Sequence, residues 1–579
     1  MNSGVMRLAL TEEQLRCRDI ILSQEYADFI VEYGGNIDVM VNTYNPSCYE
    51  VINSSYVVIH KPLPEDGQLN PDEYGYNMIP TVMGLMDTTS MEESGILPVH
   101  YSPASGYRGS GVLVSIIDTG IDYTHPAFRF SNGSTRMLSI WDQTIQSDNV
   151  PESFPYGTLY TSDDIDRALF SEEPMELIPT RDEEGHGTFM AGIIAGSEDT
   201  ANSFVGAAPE ASIIAVKLKP AKDYLREYYV LKEGSVAFQE TDIFMAVQFS
   251  LKQAAKYRMP LVICLGIGNS LDSHEGTSSL SQYLNWINNL TGICITVAAG
   301  NELGRAHHFS GFIPGKDDSQ NVELRVGENE RGFQMEIWGS LADVFSVEIV
   351  SPEGERIARS QSRLGVSQRV RLLFEDTEIY LADKSVGLTS GQFLMVLQFR
   401  NPTPGIWSLR VYGDRISNGR FDIWLPMEKF IEEDTYFLSP DPDITVSSVA
   451  TTNSLIVAAN YNHYNNSLYI HSSRGYTASG FIKPDIAAPG VDVFGPLPGG
   501  RYGQMTGSSV SAAHAAGAAA LLLEWGLLHV IIINMDGNDI RRLLIQGAIQ
   551  KSGETYPNKG WGYGAMNLKN TFETLRVLR

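Results

Sequence analysis

The sequence predicts an α/β protein, a parallel sheet flanked by helices that is preceded by a small α+β unit and interrupted by an all-β insert. Three observations carry this reading. From Val112 to about residue 305, short and almost wholly apolar runs (Val112–Ile117, Ile213–Val216, Leu261–Leu265, Ile293–Ala298) alternate with helical patterns such as residues 241–257. Strands that are apolar on both faces belong to parallel sheets covered by helices. Between about 308 and 432 the texture changes to strand-like runs: Phe333, Met335 and Ile337, then Val344–Val350, Phe393–Phe399 and Trp407–Tyr412. Near Asp441 the α/β texture returns and continues to the C-terminus.

Taken in order, residues 1–86 combine a short helical pattern over residues 12–24 with a strand-like run, Tyr56–His60, and suit a small α+β unit. A loosely ordered, Pro- and Gly-punctuated stretch is expected from Pro62 to Ser94. Residues 87–307 form the first part of the α/β domain, 308–432 the insert, and 433–579 the second part. Within the insert, Asn418-Gly419 marks a hairpin turn. The stretch Ala512–Met535 is apolar enough to raise the question of a membrane span, but His514, Glu524 and His529 interrupt it, so a buried core helix is expected.

A chain of 579 residues exceeds one hydrophobic core, so two to four domains are expected. Asp and Glu outnumber Lys and Arg by 69 to 42, and a net charge of -27 opposes polyanionic partners, which sets aside nucleic acid and anionic membranes. The opening residues are broken by Arg7 and turn acidic at Glu12 and Glu13, giving no Sec-type signal core, so synthesis in the cytoplasm without such a signal is expected. The four cysteines, Cys17, Cys48, Cys264 and Cys294, are too sparse for a disulfide scaffold and lack CxxC spacing; reduced thiols are the simpler expectation.

Three short signatures carry chemistry, in the order Asp, His, Ser. Asp118-Thr119-Gly120 follows the first apolar strand, where a carboxylate at the C-terminal edge faces the crevice of an open sheet. Alone it is an ordinary strand end. Gly185-His186-Gly187-Thr188 opens an apolar helix whose flanking glycines allow close approach to the imidazole. Alone it is a histidine capping a buried helix. Thr506-Gly507-Ser508-Ser509 leads into an Ala-rich helix, where a hydroxyl lies near unpaired N–H groups and the positive end of the macrodipole. Alone it is an N-cap serine. Together, the order and the element types point to Ser509 as nucleophile, His186 as general base and Asp118 as orienting carboxylate.

On these motifs, with residues 296–302 (TVAAGNE) as a fourth, the chain from about Gly106 to Asn570, apart from the β insert, resembles the subtilases, subtilisin-like serine endopeptidases. The resemblance implies that Asn301 completes an oxyanion hole with the backbone N–H of Ser509, and that Ala299 and Gly300 beside it bind substrate. It implies that Gly234 and Ser235 on one side, and Cys264, Leu265 and Gly266 on the other, form backbone strands that hold an extended protein or peptide substrate. The chemistry calls for no metal or organic cofactor. Three residues depart from the family pattern without removing a catalytic group: Phe189 for a second histidine, Ser508 for threonine and Ala513 for proline.

The insert and phrases such as IDYTHPAF, LSIWDQT and LSPDPDITV are similar to the clostridial spore germination subtilases called the Csp group. That likeness implies an N-terminal prodomain in residues 1–86, a jelly-roll-like insert, and a spore-associated protease that activates the zymogen of a cortex-degrading hydrolase. The chain's own prodomain would assist folding and sit in the cleft as a bound inhibitor, with self-cleavage between Pro80 and Thr89. The group also includes members that have lost triad residues, so the rival expectation is a pseudoprotease acting as a binding or signalling protein.

Overall fold

A computed structural model of the chain describes residues 11–64, 78–80, 82–85, 90–102, 106–360, 367–385, 391–530 and 532–577. The N-terminal unit comprises α1 (Glu12–Leu22), β1 (Tyr26–Glu32), α2 (Ile37–Tyr44), β2 (Cys48–Val51) and β3 (Tyr56–Pro62), its strands paired antiparallel in the order β1-β3-β2. Thr11 and Gln14 close a capping box at the start of α1, and Asn36 caps α2. One expectation fails here: Cys17 and Cys48 are joined in a disulfide rather than reduced. Packing α1 beside β2 brings their Cα atoms to 5.4 Å, within bonding range, although no spacing motif announces the pair. Cys264 and Cys294 are free and buried.

A short strand, β4 (Val82–Leu85), follows, and then the large sheet begins. Its strands are β5 (Leu113–Asp118), β6 (Met137–Asp142), β7 (Thr158–Thr161), β8 (Ser212–Lys217), β10 (Leu261–Leu265), β12 (Ile293–Ala298), β13 (Ile456–Asn462), β14 (Ser467–Leu468) and β15 (Ile486–Pro489). The order is β14-β13-β12-β10-β5-β8-β6-β7, with β15 on β13, and only β7 and β14 run antiparallel to their neighbours. In β5, Val114 and Ile116 enter the core on one face while Leu113 and Ile117 enter the core on the other. That two-sided burial explains why the run lacks polar alternation. The first face is covered by α3 (His186–Ala195) and α5 (Ser508–Leu523), the second by α4 (Glu240–Tyr257). The apolar stretch read as a core helix is α5 and its continuation to His529, and most of it is buried inside the fold.

The insert consists of two antiparallel sheets, of six and five strands, packed over a core that includes Phe333, Phe399 and Trp407. Its last strand, Tyr436–Phe437, pairs with Leu324 and Arg325, so the second sheet extends beyond residue 432.

The three parts share one apolar core: Phe29 and Val57 of the N-terminal unit, Tyr224 and Leu225 of the α/β domain, and Trp338 and Leu394 of the insert. Beside it lies a buried ion cluster. Asp28 of β1 accepts from Lys222 Nζ at 2.7 Å, from Gln239 Nε2 at 2.6 Å and from His60 Nδ1 at 2.6 Å, while Tyr224 bonds its backbone. Burial alone would raise the Asp28 pKa, but Lys222 and His60 outweigh it and hold the carboxyl well below its usual range. Burial likewise opposes protonation of His60, and the charge and hydrogen bond of Asp28, with Glu50 behind, outweigh it and raise its pKa. Removing one partner strands the others without water. Asp28→Ala is therefore expected to destabilise the docked N-terminal unit by about 3–5 kcal/mol, read as faster limited proteolysis of β1–β3 and a lower Tm. Because the His60 pKa is raised, its contribution is complete below about pH 6.5 and is lost as pH rises through the raised value. Hydrogen exchange in β1 and β3, corrected for intrinsic rate, should be faster at pH 9 than at pH 6.

Candidate active site

Asp118 is the last residue of β5, set between β8 and β10. His186 is the first residue of α3, reached through Gly185 at φ +83°. Ser509 is the second residue of α5. The three are almost wholly buried and in contact: His186 Nδ1 lies 2.7 Å from Asp118 Oδ1, and His186 Nε2 lies 3.1 Å from Ser509 Oγ. A carboxylate accepts only, so Nδ1 carries the ring proton and Nε2 is left to accept from the serine hydroxyl.

The close approach of strand end and helix depends on one glycine. A Cβ on Gly187 would stand 2.1 Å from the Gly120 carbonyl oxygen, so any side chain there would push α3, and His186 with it, off the strand. A second glycine clears the other side of the site. A Cβ on Gly266 would lie 3.1 Å from His186 Cε1 and 3.1 Å from the Ser509 Cβ, which places residue 266 against both side chains.

Asp182, buried and absent from the motif reading, ties these parts together. Its Oδ1 accepts from Gly185 N at 2.8 Å and Thr119 Oγ1 at 2.7 Å, and its Oδ2 accepts from Thr188 N at 2.8 Å and Thr188 Oγ1 at 2.7 Å. Thr119 Oγ1 in turn accepts from Gly187 N at 3.0 Å. One carboxylate thus satisfies free N–H groups of the first turn of α3 and anchors the residue beside Asp118. Its signal in the sequence is slight: an acidic residue four positions before the helix.

Asn301 follows β12. Its Oδ1 accepts from Ser508 N at 3.0 Å, which commits the amide oxygen and fixes which end of the amide is the donor. Gly300 N donates to Ser508 Oγ at 3.1 Å, so the serine that replaces threonine keeps a hydroxyl contact across the site. Phe189 and Ala513 are fully buried in the core, and α5 runs unbroken past Ala513.

The flanking strands differ from expectation. Residues Gly234 and Ser235 lie in a turn closed by Ser235 N to Lys232 O at 3.2 Å, and the strand is instead β9 (Phe238–Gln239). Cys264 sits inside the large sheet, paired with Thr296 and Ile116, and has no edge to offer; burial pushes its thiol up to about 12, which makes it a core cysteine. Leu265 ends β10, Gly266 adjoins His186 and Ser509, and the available edge is β11 (Ile267–Gly268). Between these edges runs β4: Val82 and Met83 pair with Gln239 and Phe238, and Gly84 and Leu85 pair with Gly268 and Ile267, all antiparallel. Of the expected junction from Pro80 to Thr89, residues 81 and 86–89 lie outside the described residues.

With this geometry in hand, the comparisons with known proteins agree in direction. The Peptidase_S8 subtilase family model matches residues 109–368 and 438–564, well over half of the chain. Among solved structures, that of the Clostridium perfringens CspB protease is similar, with a TM-score of 0.75 and 29% identity, covering 84% of this chain and 97% of that one. Among curated proteins, a C5a peptidase of Streptococcus pyogenes serotype M18 is 23% identical over 72% of this chain and 35% of its own length. The minor extracellular protease Vpr of Bacillus subtilis is 22% identical over 81% of this chain and 52% of its own. The chain thus spans about a third of the length of the first of these curated relatives and about half of the second.

Replacing Asp182 by Ala would strand the donors of Gly185 and Thr188. The expected cost is about 3 kcal/mol or more, from two or more buried donors left unpaired, measured by chemical unfolding, with Asp182→Asn closer to wild type.

Proposed function

This chain belongs to the subtilase family, and from that premise we propose that it is a serine endopeptidase acting through Asp118, His186 and Ser509. The contact chain from Asp118 through His186 to Ser509 is the observation that carries the proposal. In this reading Ser509 Oγ attacks the carbonyl carbon of the scissile bond as its proton passes to His186 Nε2. The Asp118 carboxylate holds the ring and balances the imidazolium. The negative charge on the former carbonyl oxygen is met by the Ser509 N–H at the start of α5 and by the Asn301 amide, whose oxygen is already committed to Ser508. His186 then gives its proton to the leaving amine, and water repeats the sequence on the acyl-enzyme.

Substrate binds as an added strand between β9 and β11, the place β4 now takes. Leu85, the last residue of β4, pairs with Ile267, the neighbour of Gly266, which in turn adjoins Ser509; in this reading the N-terminal unit acts as a prodomain that occupies the cleft, is cut by the same Ser509, and stays docked through the Asp28 cluster as an inhibitor. The likeness to the CspB protease supports a place in the Csp group, with a zymogen of a cortex-degrading hydrolase as substrate and a spore as the setting.

Intact-mass analysis of wild type beside Ser509→Ala is the test: a cut within residues 80–89 in wild type, absent in the variant, is expected. An uncut wild type would sink self-processing and favour the binding or signalling role. Asn301→Ala should slow the cut by about 100- to 1000-fold.

A further inference from the structure

The N-terminal unit meets the α/β domain around a cavity of about 830 Å³. Residues of α1 and β2 line one side, and Met245 and Lys252 of α4, with Phe154, line the other. The apolar contacts of α1 lie at its C-terminal end: Ile20 and Ile21 are buried, and Ile21 shares a core with Phe244 and Phe249 of α4. The opposite end, from Glu12 to Cys17, borders the cavity. There the Cys17–Cys48 disulfide joins α1 to β2 across a sequence separation of 31 residues, and both cysteines line the cavity.

The bond sits at the end of a row of side chains that leads to the docking cluster. In the sheet order β1-β3-β2, Asp28 pairs with His60 and His60 pairs with Cys48, so the three side chains lie side by side on one face. Asp28 holds the buried Lys222 of the α/β domain at 2.7 Å, and Glu50, two residues along β2 on the same face, lies 3.5 Å from His60 Nε2. Loss of the bond at Cys48 therefore loosens the strand beside His60, and with it the hold of Asp28 on Lys222. So small a unit has little core of its own to compensate, and a cross-link that closes a long loop carries a large part of its stability.

We propose that Cys17–Cys48 is a redox catch: a small thiol that enters the cavity reduces the bond, and the N-terminal unit then undocks from the α/β domain. Cys17 is partly exposed and Cys48 is buried, so the incoming thiolate attacks Cys17 Sγ. The S–S bond breaks, Cys48 leaves as a thiolate and takes up a proton, and a second thiol displaces Cys17 from the mixed disulfide. Two thiols are consumed, one small disulfide is released, and their two protons end on Cys17 and Cys48. Cys264 and Cys294, buried inside the large sheet, take no part. Because β4 follows the N-terminal unit in the chain, undocking frees the place between β9 and β11. That consequence rests on the peptidase reading above, and the undocking itself does not.

The test uses the full chain as Ser509→Ala, so that the result is the same whether or not the chain cuts itself. The protein is treated with dithiothreitol under native conditions, and one portion is blocked with iodoacetamide and mapped by peptide mass while another is followed by hydrogen exchange. Alkylation is expected at Cys17 and Cys48 with Cys264 and Cys294 unmodified. Exchange in β1 and β3 should rise by about 30-fold or more while β5 and β12 stay protected, and reoxidation with diamide should restore the slow rates. The double variant Cys17→Ser, Cys48→Ser should exchange fast without thiol and show no response to it; if that variant does not fold, the reduction and reoxidation of one sample carries the test. Cysteines that stay unalkylated, alkylation with exchange in β1 and β3 unchanged, or exchange that rises equally in β5 and β12 would each overturn the proposal. A failure of the peptidase reading leaves all of these readouts untouched.

Discussion

The hydrogen bond between Asp118 and His186 joins the end of a central strand to the first turn of a helix that begins 68 residues later. Two rigid elements must meet within a fraction of an ångström for it to form. Much of the α/β domain is arranged around that requirement. Gly187 lets the backbones of helix and strand end approach without a side chain between them. Asp182 gathers the unpaired donors of the helix start and links them to Thr119, whose own N–H lies 2.8 Å from Asp118. The burial of both sheet faces, by α3 and α5 on one side and α4 on the other, leaves the C-terminal strand end as the place where polar side chains converge.

The same rigidity extends outward to the added units. The N-terminal unit is attached by an apolar core common to all three parts and by the cluster at Asp28, whose buried charges make partial detachment costly. That suits a unit whose following strand, β4, lies between the two edges where an extended chain would bind. The insert is held through Trp424, which stacks between His274 and His308, and through Glu428, whose N–H donates to Glu302 beside Asn301. An insertion far from the three motifs in sequence is thus close to them in space.

The fold and the three central residues were legible because their signals are local. Leu113–Ile117 is apolar on both faces, so its parallel sheet shows in a single run, and DTG, GHGT and GSSVS each combine a polar group with the element that presents it. Signals that depend on pairing across the chain were not legible. The Cys17–Cys48 bond arises only once α1 packs beside β2, and no spacing rule announces it. The edges β9 and β11 are two residues long each, too short for periodicity, and they become strands only because β4 lies between them; hence the misplacement at Gly234, Ser235 and Cys264. Asp182 resembles any acidic residue before a helix, and its importance appears only in the count of donors that converge on it. Glu428 belongs to the insert in sequence and meets Glu302, the neighbour of Asn301, in space.

The claim on which everything else depends is that His186 and Asp118 make Ser509 nucleophilic. Reaction of the full chain with a small fluorophosphonate, followed by peptide mapping, tests it directly, since the reagent bonds to a serine only when an adjacent base takes the proton. The expected result is a single adduct on the peptide carrying Ser509, lost in His186→Ala while the variant remains folded. An unmodified Ser509 in wild type, or an adduct that persists without the imidazole, would contradict the account.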